Sequence, residues 1–172
     1  MSTPRPSNPV LDRNPRDLLS PGQFHGVAAT VRQNNPGMAM NLAERITAEA
    51  LRFLAVCAHD RSARIAPSPV VDEGWHALIL HTALYAELGE LLGGFVHHYP
   101  ELPVDAGYDP AVLARTLETI DRAGYVPDLE LWAGPDEQSV AVAAQTWHTP
   151  PGGCGPIVPI PVPKPPSGGS AA

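Results

Sequence analysis

The sequence predicts an all-α fold: a single small helical bundle of about four main helices with disordered Pro-rich ends. Three observations lead there. Helix-start signals of the Ser-Pro, Asn-Pro and Asp-Pro type recur along the chain. Apolar residues follow them at steps of three and four, the spacing that lines one helical face. The 21 prolines also crowd toward both ends of the 172 residues, which sets a working domain over 16–134 apart from its flanks.

Residues 1–15 (MSTPRPSNPVLDRNP) read as a disordered, Pro-broken arm. Ser20-Pro21 then supplies an N-cap and a proline at the first helical position, where the missing N–H costs nothing. A helix over 21–33 follows, with Phe24, Val27, Ala28 and Val31 on one face. Asn34-Asn35-Pro36-Gly37 ends it. The next helix, over 38–59, carries a stripe of Leu42, Ile46, Ala50, Phe53, Leu54 and Cys57, with Glu44, Arg45, Glu49 and Arg52 off the stripe. The polar stretch 60–67 reads as a loop.

Ser68-Pro69 opens a third helix that the pattern continues to Leu92, where Gly93-Gly94 stops it. Val71, Trp75, Leu78, Ile79, Thr82, Tyr85, Leu88 and Leu92 form one face, and Leu80, Leu84 and Leu91 lie elsewhere. A helix apolar on most sides belongs at the centre of its bundle, so Trp75 and Tyr85 are expected as structural core. Phe95 to Pro100 reads as a short extended or irregular segment. Asp109-Pro110 caps a fourth helix over 110–123, with Val112, Leu113, Leu117 and Ile120 inward and Gly124 as its C-cap. Tyr125 to Trp132 reads as a docking element that uses Val126, Leu129, Leu131 and Trp132. Residues 135–148 read as a linker or a short element of unassigned type. Residues 149–172 read as a disordered Pro/Gly-rich tail of polyproline-II character.

The bulk charge excludes some functions. Net charge is −7, and no run of Lys or Arg occurs. Nucleic-acid binding and anionic membrane surfaces both need a concentrated positive face, so neither partner is expected. No stretch approaches the length of a membrane span. No secretory signal is visible, and Cys57 and Cys154 suit a reduced, cytoplasmic setting better than a disulfide. Cys57 lies on an apolar stripe and reads as core rather than nucleophile.

Chemistry concentrates in VDEGWHALILHTALY, residues 71–85, and GGFVHHYP, residues 93–100. Asp72 and His76 are four apart on one helix, a spacing at which two side chains can ligate one ion. His98 follows a glycine pair that permits a sharp reversal. One carboxylate and two imidazoles make a ligand set for one first-row transition metal ion, Zn or Fe, with open positions. His59 and His97 are candidates for a further ligand or for orienting one. His81, nine residues beyond Asp72, falls near the opposite side of a straight helix. A structural alternative stays open, in which Asp72 in the first turn is favoured by the helix dipole and accepts a hydrogen bond from His76. A non-enzymatic alternative also stands: a rigid helical platform whose Pro-rich tail engages a protein partner.

These residues resemble the glycine-rich-domain-containing-protein-like family of plants and bacteria, in its short actinobacterial type. The likeness rests on Asp72, Trp75, His76, Tyr85, Gly94 and His98, with Ser68-Pro69, Ile79-Leu80-His81-Thr82 and Phe95-Val96-His97-His98 around them. It covers residues 16–132. It implies a helical fold and strengthens the metal-site expectation, but brings no assigned activity. Bacterial members often end in a Cys-rich tail, whereas this tail keeps only Cys154.

Overall fold

The computed structural model describes residues 14–98 and 111–133. Within them the chain forms five α-helices: α1 (Pro21–Asn34), α2 (Met40–His59), α3 (Pro69–Leu80), α4 (Thr82–Leu91) and α5 (Ala111–Arg122). Two short 3-10 turns, Pro15–Leu18 and Leu129–Leu131, flank the set. No strand occurs among the described residues, so the all-α expectation holds. The expectations for the arm before residue 14, the Asp109-Pro110 cap, the 135–148 linker, the 149–172 tail and Cys154 lie outside the described residues.

Helices α1, α2 and α3 pack against one another in pairs and enclose the core. Val27, Val31, Ile46, Phe53, Leu54, Val71 and Leu78 are buried there, as is Cys57. The starts follow local chemistry. The Ser20 hydroxyl accepts from the Gln23 N–H while Gln23 Oε1 accepts from the Ser20 N–H, a reciprocal capping box ahead of α1. Ser68 caps α3 by accepting from the Val71 N–H at 3.1 Å, and Pro69 sits in the first turn. Gly74 lets α3 approach α2 closely: a Cβ there would stand 2.9 Å from both the Ala50 Cβ and the Ile46 carbonyl oxygen.

Two expectations need correction. The single helix over 69–92 is two helices that meet at His81, whose backbone (φ −88°, ψ 65°) leaves the helical basin. Its ring Nε2 lies 2.8 Å from the Thr30 hydroxyl of α1, which in turn donates to the Gly26 carbonyl. The break thus fastens α3 and α4 to α1 at one point. Thr82, expected inward, is exposed.

The second correction concerns the docking element. Tyr125, Leu131 and Trp132 are buried, but Val126 and Leu129 are 83% and 67% exposed. Gly124, at φ +90°, turns the chain after α5, and only the two ends of the 125–132 segment reach the core.

Of the charged residues off the α2 stripe, Glu49 is buried. It accepts from the Trp132 indole N–H at 2.8 Å and the Asp128 backbone N–H at 3.1 Å, and it pairs with Arg52. One turn away, Arg45 grips Asp128 through two hydrogen bonds and also pairs with Glu130. This fork pushes the Arg45 guanidinium further toward its charged form and holds the Asp128 carboxyl below the usual carboxylate range. Desolvation pulls Arg52 the other way, lowering its pKa. Buried Glu49 and the partly exposed Arg45 thus hold the 125–132 segment against α2.

Candidate metal centre

The site begins with where α3 starts. Ser68 fixes the first turn, and that puts Asp72 on the inner side of the helix with His76 one turn later. The Asp72 side chain is 3% exposed, whereas His76 is 37% exposed and looks outward. Asp72 Oδ2 and His76 Nε2 are 3.7 Å apart, too far for a hydrogen bond. The direct Asp72–His76 bond expected under the structural alternative is therefore not made, and the carboxylate reaches elsewhere.

Its partner is His98. The His98 Nε2 lies 3.0 Å from Asp72 Oδ1. An ionised carboxylate only accepts, so the ring donates through Nε2–H. The His98 and His76 rings stand 4.6 Å apart between centroids, and the Trp75 indole meets the His98 ring at 4.5 Å in an edge-on arrangement. Taken together, one ligand atom each from Asp72, His76 and His98 lie within 4.8 Å of one another.

The return of residues 95–98 to α3 has a physical cause. Gly93 adopts φ +78°, a conformation open to glycine at no steric cost, and turns the chain after α4. Phe95 then packs edge-on against Tyr85, with ring centroids 4.9 Å apart, and passes close over Gly89. The Tyr85 hydroxyl accepts from the Trp75 indole N–H at 2.8 Å and donates to the Val96 carbonyl at 2.6 Å. Both side chains are buried, and both use their polar tips, as buried Tyr and Trp must. Apolar spacing assigned Trp75 and Tyr85 a core role alone. The signal for the relay was their polar tips, which need partners once buried.

The other candidates fall outside the convergence. His59 is exposed at the C-terminal end of α2, and the His97 ring packs on Phe95 at 4.7 Å between centroids. Neither belongs to the converging group. His81 sits at the α3–α4 break with Thr30 as its partner.

One carboxylate and two imidazoles are donor types that could hold a metal ion. Donors bound at about 2.0–2.2 Å around one ion stand roughly 3.0–3.5 Å apart. The Asp72 Oδ1–His98 separation of 3.0 Å falls at that spacing, the Asp72 Oδ2–His76 separation is 3.7 Å, and the three ligand atoms lie within 4.8 Å of one another, so the side chains would have to draw together around an ion. A cleft of about 270 Å³ bounded by Arg16, Leu19, Phe24, His25 and Glu44 lies on different elements and shares no residue with the centre. No helix among the described residues is long and apolar enough to cross a membrane.

No curated protein and no solved structure matches the chain. The profile of the UCP032817-like family does, over residues 18–108, and so spans α1 to α4 together with Asp72, His76 and His98. That match covers more than half of the 172 residues, and nothing in it connects the chain to the glycine-rich-domain-containing likeness. The chain belongs to the UCP032817-like family.

Proposed function

We propose that this protein binds one first-row transition metal ion, Zn(II) or Fe(II), through Asp72, His76 and His98. The observation that carries the reading is the convergence of their ligand atoms within 4.8 Å from two separate parts of the chain. A carboxylate and two imidazoles are the donor types these ions take, and three protein ligands leave coordination positions open. The exposed side of His76 gives those positions a route to solvent. A bound ion there would supply Lewis acidity to whatever occupies the open positions. Asp72 would supply the carboxylate beside both imidazoles, and Trp75, packed on the His98 ring, would limit its swing. For His98 to ligate through Nε2, its proton would have to leave that nitrogen, by a shift to the Nδ1–H tautomer of the neutral ring or by release from the imidazolium. The likeness to the glycine-rich-domain-containing-protein-like family forms part of the same proposal, since Asp72, His76 and His98 are among the residues that carry it.

A second reading rests on the Asp72–His98 hydrogen bond itself. Here the pair is a latch that fastens residues 95–98 to α3, and the cluster is structural. One measurement separates the two. Protein purified without a metal-binding tag is assayed for bound metal, and the apo form is titrated with Zn(II) and Fe(II). One ion per chain, lost in His76→Ala with the helical spectrum retained, supports the metal reading. No uptake of either ion leaves the latch.

A further inference from the structure

Resting on the metal reading, we propose that Tyr85 is the positioning residue of the centre. Its hydroxyl joins two of the parts that must meet. It accepts from Trp75, which lies between Asp72 and His76 on α3, and it donates to Val96, two residues before His98. The relay Trp75–Tyr85–Val96 thus spans the gap between the helix that carries two ligands and the segment that carries the third.

The relay sets the distance of that segment from α3. Gly93 at φ +78° allows the reversal but does not aim it. The Phe95 ring is 45% exposed and packs on the Tyr85 ring, so it too takes its place from Tyr85. Tyr85 itself is 5% exposed, and its hydroxyl uses its single proton on the Val96 carbonyl while a lone pair takes the indole N–H. With both ends of the hydroxyl engaged, the ring has one rotamer that satisfies the network. Residues that orient a ligand in this way tune metal affinity without touching the ion.

The test uses Co(II) as the probe, because its visible absorption reports ligand geometry. Wild type, Tyr85→Phe, Trp75→Phe and Trp132→Phe are titrated in the full-length apo chain. Tyr85→Phe keeps the ring against Phe95 and removes the hydroxyl. Its Co(II) affinity is expected to fall by about 10–100-fold, the range for losing an outer-shell partner, with a shifted absorption band. Trp75→Phe removes the indole N–H from the relay and part of the ring that packs on His98, and is expected to lower affinity in the same direction. It also keeps the test decisive should Tyr85→Phe not fold. Trp132→Phe removes a buried hydrogen bond outside the centre and leaves affinity and spectrum as in wild type. Unchanged affinity and spectrum in both relay variants, with wild type binding Co(II), overturns the positioning role and leaves the metal reading intact. Equal losses in Trp132→Phe also overturn it, because the effect is then one of general stability. A wild type that binds no Co(II), Zn(II) or Fe(II) removes the metal reading and this role with it.

Discussion

Asp72 and His98 are 26 residues apart in the chain and 3.0 Å apart in space. Both side chains are nearly closed to solvent, at 3% and 9% exposure. A buried histidine facing a buried carboxylate needs that partner, because a polar group stranded without one costs its full desolvation. Asp72→Ala is therefore expected to destabilise the fold by about 1–3 kcal/mol as well as to remove one of the three proposed ligands. Urea unfolding of the apo protein reads the first effect apart from the second. An apo stability equal to wild type would show that His98 loses nothing when the carboxylate goes.

Trp75 packs against Phe53 at 5.5 Å between ring centroids and against His98, and it is 2% exposed. Trp75→Ala empties the largest side chain at the junction of core and site. The expected loss is about 3–5 kcal/mol, the range for truncating a buried aromatic. A chemical denaturation midpoint close to wild type would mean that the surrounding helices collapse into the space.

Gly74 has room for a hydrogen and for nothing larger. A methyl there would meet Ala50 and the Ile46 backbone at 2.9 Å, and a backbone atom cannot swing aside as a flexible side chain can. Gly74→Ala gains helix propensity yet is expected to lose about 1–3 kcal/mol overall through overpacking. Thermal melting checks the sign. A rise in melting temperature would show that α2 and α3 separate without penalty.

The Arg45–Asp128 pair predicts an acid-sensitive contribution. The guanidinium lowers the Asp128 pKa in the folded state, chiefly through its hydrogen bonds. A depressed folded pKa stabilises above the unfolded value, about 3.9 for Asp, and the gain fades as pH falls through the lower folded value. Arg45→Met should therefore reduce stability at pH 7 and matter progressively less below about pH 4. Urea midpoints of both proteins at about pH 7 and about pH 2.5, either side of that range, are expected to converge in acid. A constant difference across that interval would assign the effect of Arg45 to packing of its stem.

Much of the helical frame was legible because its signals are local. Ser20-Pro21 and Ser68-Pro69 mark α1 and α3 by capping chemistry that depends on a few neighbouring atoms. The break at His81 left no such mark. Neither Pro nor Gly stands there, and the apolar spacing runs on from Leu78 to Tyr85 and Leu88 as it would in one helix. The partner that holds the break is Thr30, 51 residues earlier, and periodicity does not register a partner at that distance. The burial of Glu49 leaves no mark in the sequence for a related reason, since the Trp132 that covers it lies 83 residues on.

For the site, helix geometry alone pairs Asp72 with His76, since four residues fix a face whatever the fold. The choice of His98 over His97 was not decidable from spacing. It depends on the Tyr85 hydroxyl, which holds the Val96 carbonyl and so aims the residues beyond it.

The buried Glu49 also decides how the chain can be cut. Three of its contacts come from Asp128, Trp132 and Arg52, and two of these lie in the last stretch of described residues. A fragment ending at Arg122 would keep all five α-helices of the described residues, α5 included. It would also leave a carboxylate at 2% exposure without its indole and amide donors, next to an Arg52 that burial already disfavours as a cation. A fragment ending at Trp132 is therefore expected to be more stable than one ending at Arg122, the difference set by the solvation of one acid on α2 rather than by the end of a helix.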